Sequence, residues 1–179
     1  MLLTQVIDFT VRKLKAQTAN ALTLLNLSLG GFAIINIIEG QLQLGSLLIF
    51  LAALADRFDG MVARKLSIES ELGKQLDSMC DLISFGVAPA LLIYLGVIHE
   101  FGAPAMFFTV FYIASGSFRL ARFNVTENDG YFSGLPITAA GCFATLLFIV
   151  HPYVAPQTIL FLMIFLSFMM ISSFRLKKV

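Results

Sequence analysis

The sequence predicts an all-α integral membrane protein with six transmembrane helices and a short interfacial helix in front of them. The composition is one reason, because 58% of the 179 residues are hydrophobic and only 13% are charged. An ordinary soluble domain carries about 25% charged residues. The second reason is that the apolar residues form long stretches, close to the roughly 20 residues that a helix needs to cross a bilayer.

The predicted spans follow one another with short connections over most of the chain. Gly, Ser and Ala recur within them, as is typical of helices that approach each other closely in a membrane. A polar connection, VTENDGYFSG at 125–134, separates the fourth span from the fifth. Residues 1–179 are therefore predicted to form a single membrane domain with spans at about 19–38, 43–66, 73–97, 102–125, 134–150 and 156–174.

Residues 1–17 precede the first span and are amphipathic. Apolar side chains alternate there with Arg12, Lys13 and Lys15, and the segment lacks the apolar core and cleavage site of a signal peptide. This pattern predicts a short helix that lies in the membrane interface. A frayed basic tail is the alternative.

The basic residues predict the orientation of the spans. The connections near 39–43, 98–102 and 151–156 contain no Lys or Arg, so all basic residues lie at the other ends of the spans. The positive-inside rule places those ends, both termini included, on the cytoplasmic side of a prokaryotic inner membrane. The net charge of +1 gives no reason to expect nucleic-acid binding, and the isolated Cys80 and Cys142 lack the spacing of a zinc site.

Four aspartates lie inside the second and third spans: Asp56, Asp59, Asp77 and Asp81. A carboxylate at the bilayer centre costs about 2.5–3.5 kcal/mol, so such residues usually have a function. The members of each pair are three or four residues apart and share a helix face. With a turn near 66–72, a helical hairpin places Asp59 beside Asp77 and Asp56 beside Asp81, all about 6–15 Å inside the cytoplasmic face.

Four carboxylates at one depth repel each other unless cations join them. Oxygen ligands suit Mg²⁺, Mn²⁺ or Ca²⁺, and two divalent ions would balance the charge. Two neighbouring ions are a recurrent arrangement for phosphoryl transfer. The stripe of Asp56 continues through the small residues Gly60 and Ala63 to Arg64, which could meet a phosphate. An ion network of the aspartates with nearby basic residues is the structural alternative.

The spacing D-x-x-D-G-x-x-A-R-x8-G-x3-D-x3-D is similar, at every fixed position, to the signature of the CDP-alcohol phosphatidyltransferase family. The residues that carry this resemblance are Asp56, Asp59, Gly60, Ala63, Arg64, Gly73, Asp77 and Asp81. The first span also resembles the family's P-N-x-x-T-x-x-N pattern through Asn20, Thr23 and Asn26, with Ala19 in place of the usual proline.

Three further segments resemble the members of this family that use L-serine as acceptor. They are DLISFGVAP after the last aspartate, SFRLARFN at 117–124 and FSGLPITAAG at 132–141. Family members often have a second proline two residues after the first in the last segment, and Thr138 takes that place here.

The resemblance implies a reaction in which CDP-diacylglycerol and L-serine give phosphatidylserine and CMP. It implies a divalent metal, Mg²⁺ or Mn²⁺, on Asp56, Asp59 and Asp77, with Asp81 as a further metal ligand or the general base. The CDP site would be lined by Asn20, Thr23, Asp56, Gly60, Ala63, Arg64, Gly73 and Asp77. A homodimer embedded in membrane lipid is also implied.

The resemblance does not determine which residues form the acceptor pocket. Arg119 and Arg122 are candidates for the serine carboxylate or a lipid phosphate, and Ser84, Asn124 and Thr126 are further candidates. The alternative for the arginines is an interfacial position among headgroups. Transfer to glycerol 3-phosphate or inositol phosphate is the alternative reaction. A divalent-cation transporter is a more distant one, because no acidic trail continues into the outer halves of the spans.

Overall fold

A computed structural model describes residues 21–66, 71–125, 131–172 and 175–177, with the backbone alone at residue 59 and at 62–66, 131–133 and 175–177. The predicted interfacial helix at 1–17, Asn20 and Thr126 lie outside the described residues. The side chains of Asp59, Ala63 and Arg64 lie outside them too.

Each of the six predicted segments is helical in the described part of the chain. The helices are α1 Ala21–Ile38, α2 Leu42–Leu66, α3 Glu71–Phe101, α4 Ala103–Val125, α5 Ile137–Val150 and α6 Pro156–Ile171. A single 3₁₀ turn, His151–Tyr153, extends α5. The described chain is therefore almost entirely helical, as the composition predicts.

Two helices, α1 and α3, are long and apolar enough to cross a bilayer by length and composition, and α5 and α6 are shorter apolar helices. Large apolar side chains also cover the outward faces, including Phe107 at 64% and Phe161 at 68% exposure. A soluble protein seldom exposes so much apolar surface. The helices therefore fit a membrane environment, and the crossing of the membrane by all six stays a prediction.

Helix α3 runs through the middle of the molecule. Phe85, Ala88, Leu92 and Ile93 along it are fully buried. Two stretches of α3 are π-helical, Leu82–Val87 and Tyr94–Ile98, and the first begins directly after Asp81. A π-helical turn is wider than an α-helical turn and is frequent at functional sites.

The π-helical stretch after Asp81 is held by contacts with two other helices. Tyr112 on α4 donates its hydroxyl hydrogen to the carbonyl oxygen of Phe85 at 3.3 Å. On α5, a Cβ added to Gly141 would lie 2.8 Å from that same oxygen, so only glycine lets α5 come this close. These contacts fix the part of α3 that follows the acidic residues.

A short antiparallel β pair, which the sequence did not predict, joins the α4–α5 connection to the segment after α6. Strand β1, Tyr131–Ser133, pairs with β2, Arg175–Lys177, with Phe132 opposite Leu176. The predicted last span extends to 174, whereas α6 ends at Ile171. The end of α6 therefore lies within a few residues of the approximate predicted bound.

Candidate active site

Three carboxylates from two helices come together at one end of the molecule. Asp56 lies on α2, and Asp77 and Asp81 lie on α3; one carboxylate oxygen from each lies within 4.8 Å of the others. Asp81 is buried, at 8% exposure, and the other two are half-buried. Residue 59 lies one helical turn further along α2. We call Asp56, Asp77 and Asp81 the acidic cluster.

The acidic cluster fits a hard divalent cation. All three ligands are carboxylate oxygens, which suit Mg²⁺, Mn²⁺ or Ca²⁺. Two oxygens on opposite sides of Mg²⁺ are about 4.2 Å apart, and on opposite sides of Ca²⁺ about 5 Å apart. The observed separation of at most 4.8 Å is therefore of the size expected for carboxylates that share one divalent ion.

Helix α1 reaches the acidic cluster through Asn26. This residue is fully buried, and its Nδ2 donates to Oδ1 of Asp81 at 3.4 Å. The backbone of α1 is also close to α3, because Ser84 Oγ donates to the carbonyl oxygen of Asn26 at 3.2 Å. A Cβ on Gly30 would lie 2.2 Å from Ser84 Oγ, so the helices could not pack this closely with a larger residue there.

Helix α5 reaches the acidic cluster through Thr138. Its Oγ1 donates to Oδ2 of Asp56 at 3.4 Å. From the sequence, Thr138 was only a replacement for a proline, and no role in the site was predicted for it. The one available signal was a hydroxyl residue in the first turn of a mostly apolar helix.

Helix α4 brings Arg119 close to the acidic cluster. Arg119 is 8% exposed, and its guanidinium group is near enough to Asp81 for the two charges to attract each other. The guanidinium also lies over the ring of Phe123, 5.5 Å from its centroid. Among the described residues, Arg119 Nε has no hydrogen-bond partner. A buried donor in this state is suited to an anionic ligand.

Arg122 lies one helical turn after Arg119 and has different contacts. Its Nη1 donates to the carbonyl oxygen of Ile171 at 2.8 Å, and its Nη2 donates to that of Ser172 at 3.0 Å. Gly134, with φ +76°, packs against the same end of α6. Arg122 therefore caps the C-terminal end of α6, as a basic side chain often does. We call this arrangement the carbonyl cap.

The other predicted acceptor candidates make contacts that join neighbouring helices. Ser84 is fully buried and donates to the backbone of α1. Asn124 Nδ2 donates to Ser78 Oγ at 2.9 Å, which links the ends of α4 and α3. Lys74 Nζ donates to the carbonyl oxygen of Asn124 at 3.2 Å. These contacts hold helices together and do not involve the acidic cluster.

The predicted CDP-site residues within the described part border the same end of the molecule. Thr23 is buried on α1, one turn before Asn26. Gly60 and Gly73 lie one helical turn from Asp56 and Asp77, respectively. Both histidines are remote from the acidic cluster: His99 is at the far end of α3, and His151 lines a cavity with Gly40 and Gln41 at the α1–α2 connection.

The sequence of this chain matches a known protein family. The family model for CDP-alcohol phosphatidyltransferases matches residues 16–174. The archaetidylserine synthase of Methanothermobacter thermautotrophicus is 38% identical over 162 residues, which are 88% of this chain and 68% of that protein.

Two bacterial relatives carry a related name, CDP-diacylglycerol–serine O-phosphatidyltransferase. The protein from Bacillus subtilis is 35% identical over 133 residues, 73% of this chain and 75% of its own length. The protein from Helicobacter pylori strain 26695 is 36% identical over 130 residues, 71% of this chain and 55% of its own length.

Proposed function

Since this chain belongs to the CDP-alcohol phosphatidyltransferase family, we propose that it transfers a phosphatidyl group from CDP-diacylglycerol to the hydroxyl group of L-serine. The products are phosphatidylserine and CMP. The observation that carries the proposal is the convergence of Asp56, Asp77 and Asp81 from two helices, in a chain whose relatives are named for transfer to serine.

The acidic cluster, together with Asp59, would hold Mg²⁺ or Mn²⁺, as two ions. A cation held there would supply charge that polarises the diphosphate and stabilises the departing CMP. The all-oxygen ligand set and the spacing of the three carboxylates support this assignment. The sequence spacing supports the inclusion of Asp59, one turn from Asp56.

Asp81 is the best candidate for the general base. A serine hydroxyl is a weak nucleophile until a base accepts its proton, and a carboxylate within hydrogen-bonding reach can do so. In the proposed step the serine oxygen forms a bond to the phosphorus and the bond to the CMP oxygen breaks. CMP leaves with the electron pair, and Asp81 takes the serine proton. Its burial and its position between α1 and α4 support this role.

The CDP portion would lie against α1, α2 and the start of α3. The small residues Gly60 and Gly73 would let the nucleotide approach the backbone, and Thr23 would contribute its hydroxyl group. The signature also assigns Asn20, Ala63 and Arg64 to this subsite. Arg64 would contact the diphosphate, since a guanidinium pairs well with phosphate oxygens.

Arg119 is the strongest candidate for the carboxylate of serine. It is buried, it lies near Asp81, and its Nε lacks a partner among the described residues. A guanidinium and a carboxylate form a planar, paired contact. The lipid phosphate is the alternative ligand of Arg119.

We propose the inner membrane as the setting, with six spans and with both termini and the active site on the cytoplasmic side. The apolar helices and the one-sided distribution of Lys and Arg support this orientation. Serine would enter, and CMP leave, through the cytoplasmic opening. A homodimer is part of the proposal through the family resemblance alone.

Acceptor competition tests the proposed function. Purified protein receives CDP-diacylglycerol, Mn²⁺ or Mg²⁺, and one of L-serine, glycerol 3-phosphate or inositol phosphate. We expect metal-dependent release of CMP with serine and formation of phosphatidylserine. Release with glycerol 3-phosphate but not with serine would contradict the serine assignment. CDP-archaeol should be tested as a second donor, because one relative is named an archaetidylserine synthase.

A further inference from the structure

We propose that Asn26 and Thr138 are positioning residues that hold the carboxylates of Asp81 and Asp56 in the orientation needed to bind a divalent cation. This proposal depends on one part of the proposed function, the binding of metal by the acidic cluster. Asn26 lies on α1 and Thr138 on α5, and neither helix contains an acidic or a basic residue. The acidic hairpin of α2 and α3 is therefore held from two sides by neutral donors.

The chemistry of the two donors suits this role. Without an ion, ionised carboxylates whose oxygens lie within 4.8 Å of one another repel each other, which favours rotation of the side chains away from one another. A hydrogen bond to one oxygen restricts this rotation. A carboxylate has about four lone-pair positions, so one donor leaves ample capacity for a cation. A neutral amide or hydroxyl also adds no positive charge that would compete with the ion.

Asn26 has no evident structural reason to be polar. The bond from Ser84 is to its backbone carbonyl, so any residue at this position would keep that link between α1 and α3. Its side-chain Oδ1 is buried without a partner among the described residues. A buried acceptor without a partner destabilises a folded protein. The contact of Nδ2 with Asp81 is the one described interaction that an apolar side chain could not provide.

Thr138 is equally distinct from two buried threonines elsewhere in the bundle. Thr109 and Thr145 donate to carbonyl oxygens four residues earlier in their own helices, at 2.7 and 2.8 Å. Thr138 instead donates across to Asp56, 82 residues away in sequence. Both contacts of the proposal measure 3.4 Å, at the long end for hydrogen bonds. We therefore expect effects near the lower limit of those known for residues that orient metal ligands.

The first test replaces Thr138. The full-length protein in detergent is titrated with Mn²⁺, without nucleotide, and free Mn²⁺ is measured by electron paramagnetic resonance. We expect Thr138→Val to weaken Mn²⁺ binding by about tenfold, the low end for outer-shell partners. Thr138→Ser, which keeps the hydroxyl group, should bind Mn²⁺ nearly as wild type does. The matched control is Thr145→Val, the same change on the same helix.

The second test replaces Asn26 in the same titration. Asn26→Leu should weaken Mn²⁺ binding by about tenfold or more, since an amide donor to Asp81 is lost. The matched control is Asn36→Leu on the same helix, where Nδ2 of Asn36 donates to the carbonyl oxygen of Phe32. Melting temperatures of the metal-free variants are recorded with both titrations.

The outcomes separate positioning from folding. Wild-type Mn²⁺ affinity in both Thr138→Val and Asn26→Leu would overturn the proposal. Equal losses in the targets and their matched controls would also overturn it, since general loosening of the helices would explain them. Wild-type protein that binds Mn²⁺ but transfers nothing to serine would contradict the proposed function and leave the affinity comparison valid. Wild-type protein that binds no Mn²⁺ would contradict both.

Discussion

The acidic cluster and the carbonyl cap are two solutions to the placement of charge in an apolar protein. In the carbonyl cap, a cation meets the carbonyl groups that end α6, so the protein itself supplies the partners. In the acidic cluster, three carboxylates converge, with Asn26 and Thr138 as neutral donors and Arg119 nearby. A cation that meets carbonyl groups of the protein stabilises the fold, whereas carboxylates that gather at one point provide ligands for a cation.

The largest effect should come from a change within the acidic cluster. Asp81→Asn keeps the size of the side chain but removes a metal ligand and the proposed base. We expect CMP release to fall by at least about 10³-fold, within the range for loss of a general base. The melting temperature without metal should stay the same or rise, because repulsion among the carboxylates decreases. Activity close to that of wild type would remove Asp81 from the mechanism.

Arg119 lies between the two regions, and its substitution tests whether it binds a ligand or stabilises the fold. If it binds the acceptor carboxylate, Arg119→Gln should raise the KM for serine about 30-fold or more, as expected when one partner of a buried ion pair is removed. The melting temperature should change little. The KM for CDP-diacylglycerol serves as the internal control. A rise in that KM, with the KM for serine unchanged, would assign Arg119 to the lipid phosphate instead.

The smallest effect on catalysis should come from the carbonyl cap. Arg122→Gln removes charged hydrogen bonds to the end of α6, each worth about 1.5–3 kcal/mol. We expect a lower melting temperature, with the KM for serine and the Mn²⁺ affinity near their wild-type values at a temperature where the variant is folded. Arg122→Lys should recover part of the loss. A selective rise in the KM for serine would contradict the structural assignment of Arg122.

The sequence predicted the helices well because their signals are local. Apolar runs, short connections and the spacing of the aspartates all act within one or two helical turns or across one hairpin. The depth argument paired Asp56 with Asp81, and the structure brings both together with Asp77. The crossing of the membrane by all six helices and the participation of Asp59 stay predictions.

The sequence could not distinguish Arg119 from Arg122. They are both arginines, three residues apart in one basic segment, so residue type and local spacing give no reason to assign them different roles. Their roles depend on the helix that each one faces, Arg119 toward Asp81 and Arg122 toward the end of α6. The β pair was missed for a similar reason, since its strands are short and belong to distant parts of the chain.

The helical architecture and the aspartates of the candidate site could be predicted from the sequence, because both depend on residue type and local spacing. The residues that surround the aspartates depend instead on how distant helices pack. Asn26 and Asp81 are 55 residues apart, and Thr138 and Asp56 are 82 apart. No periodicity links positions so distant. They meet because close packing at Gly30 and Gly141 brings α1 and α5 against α3.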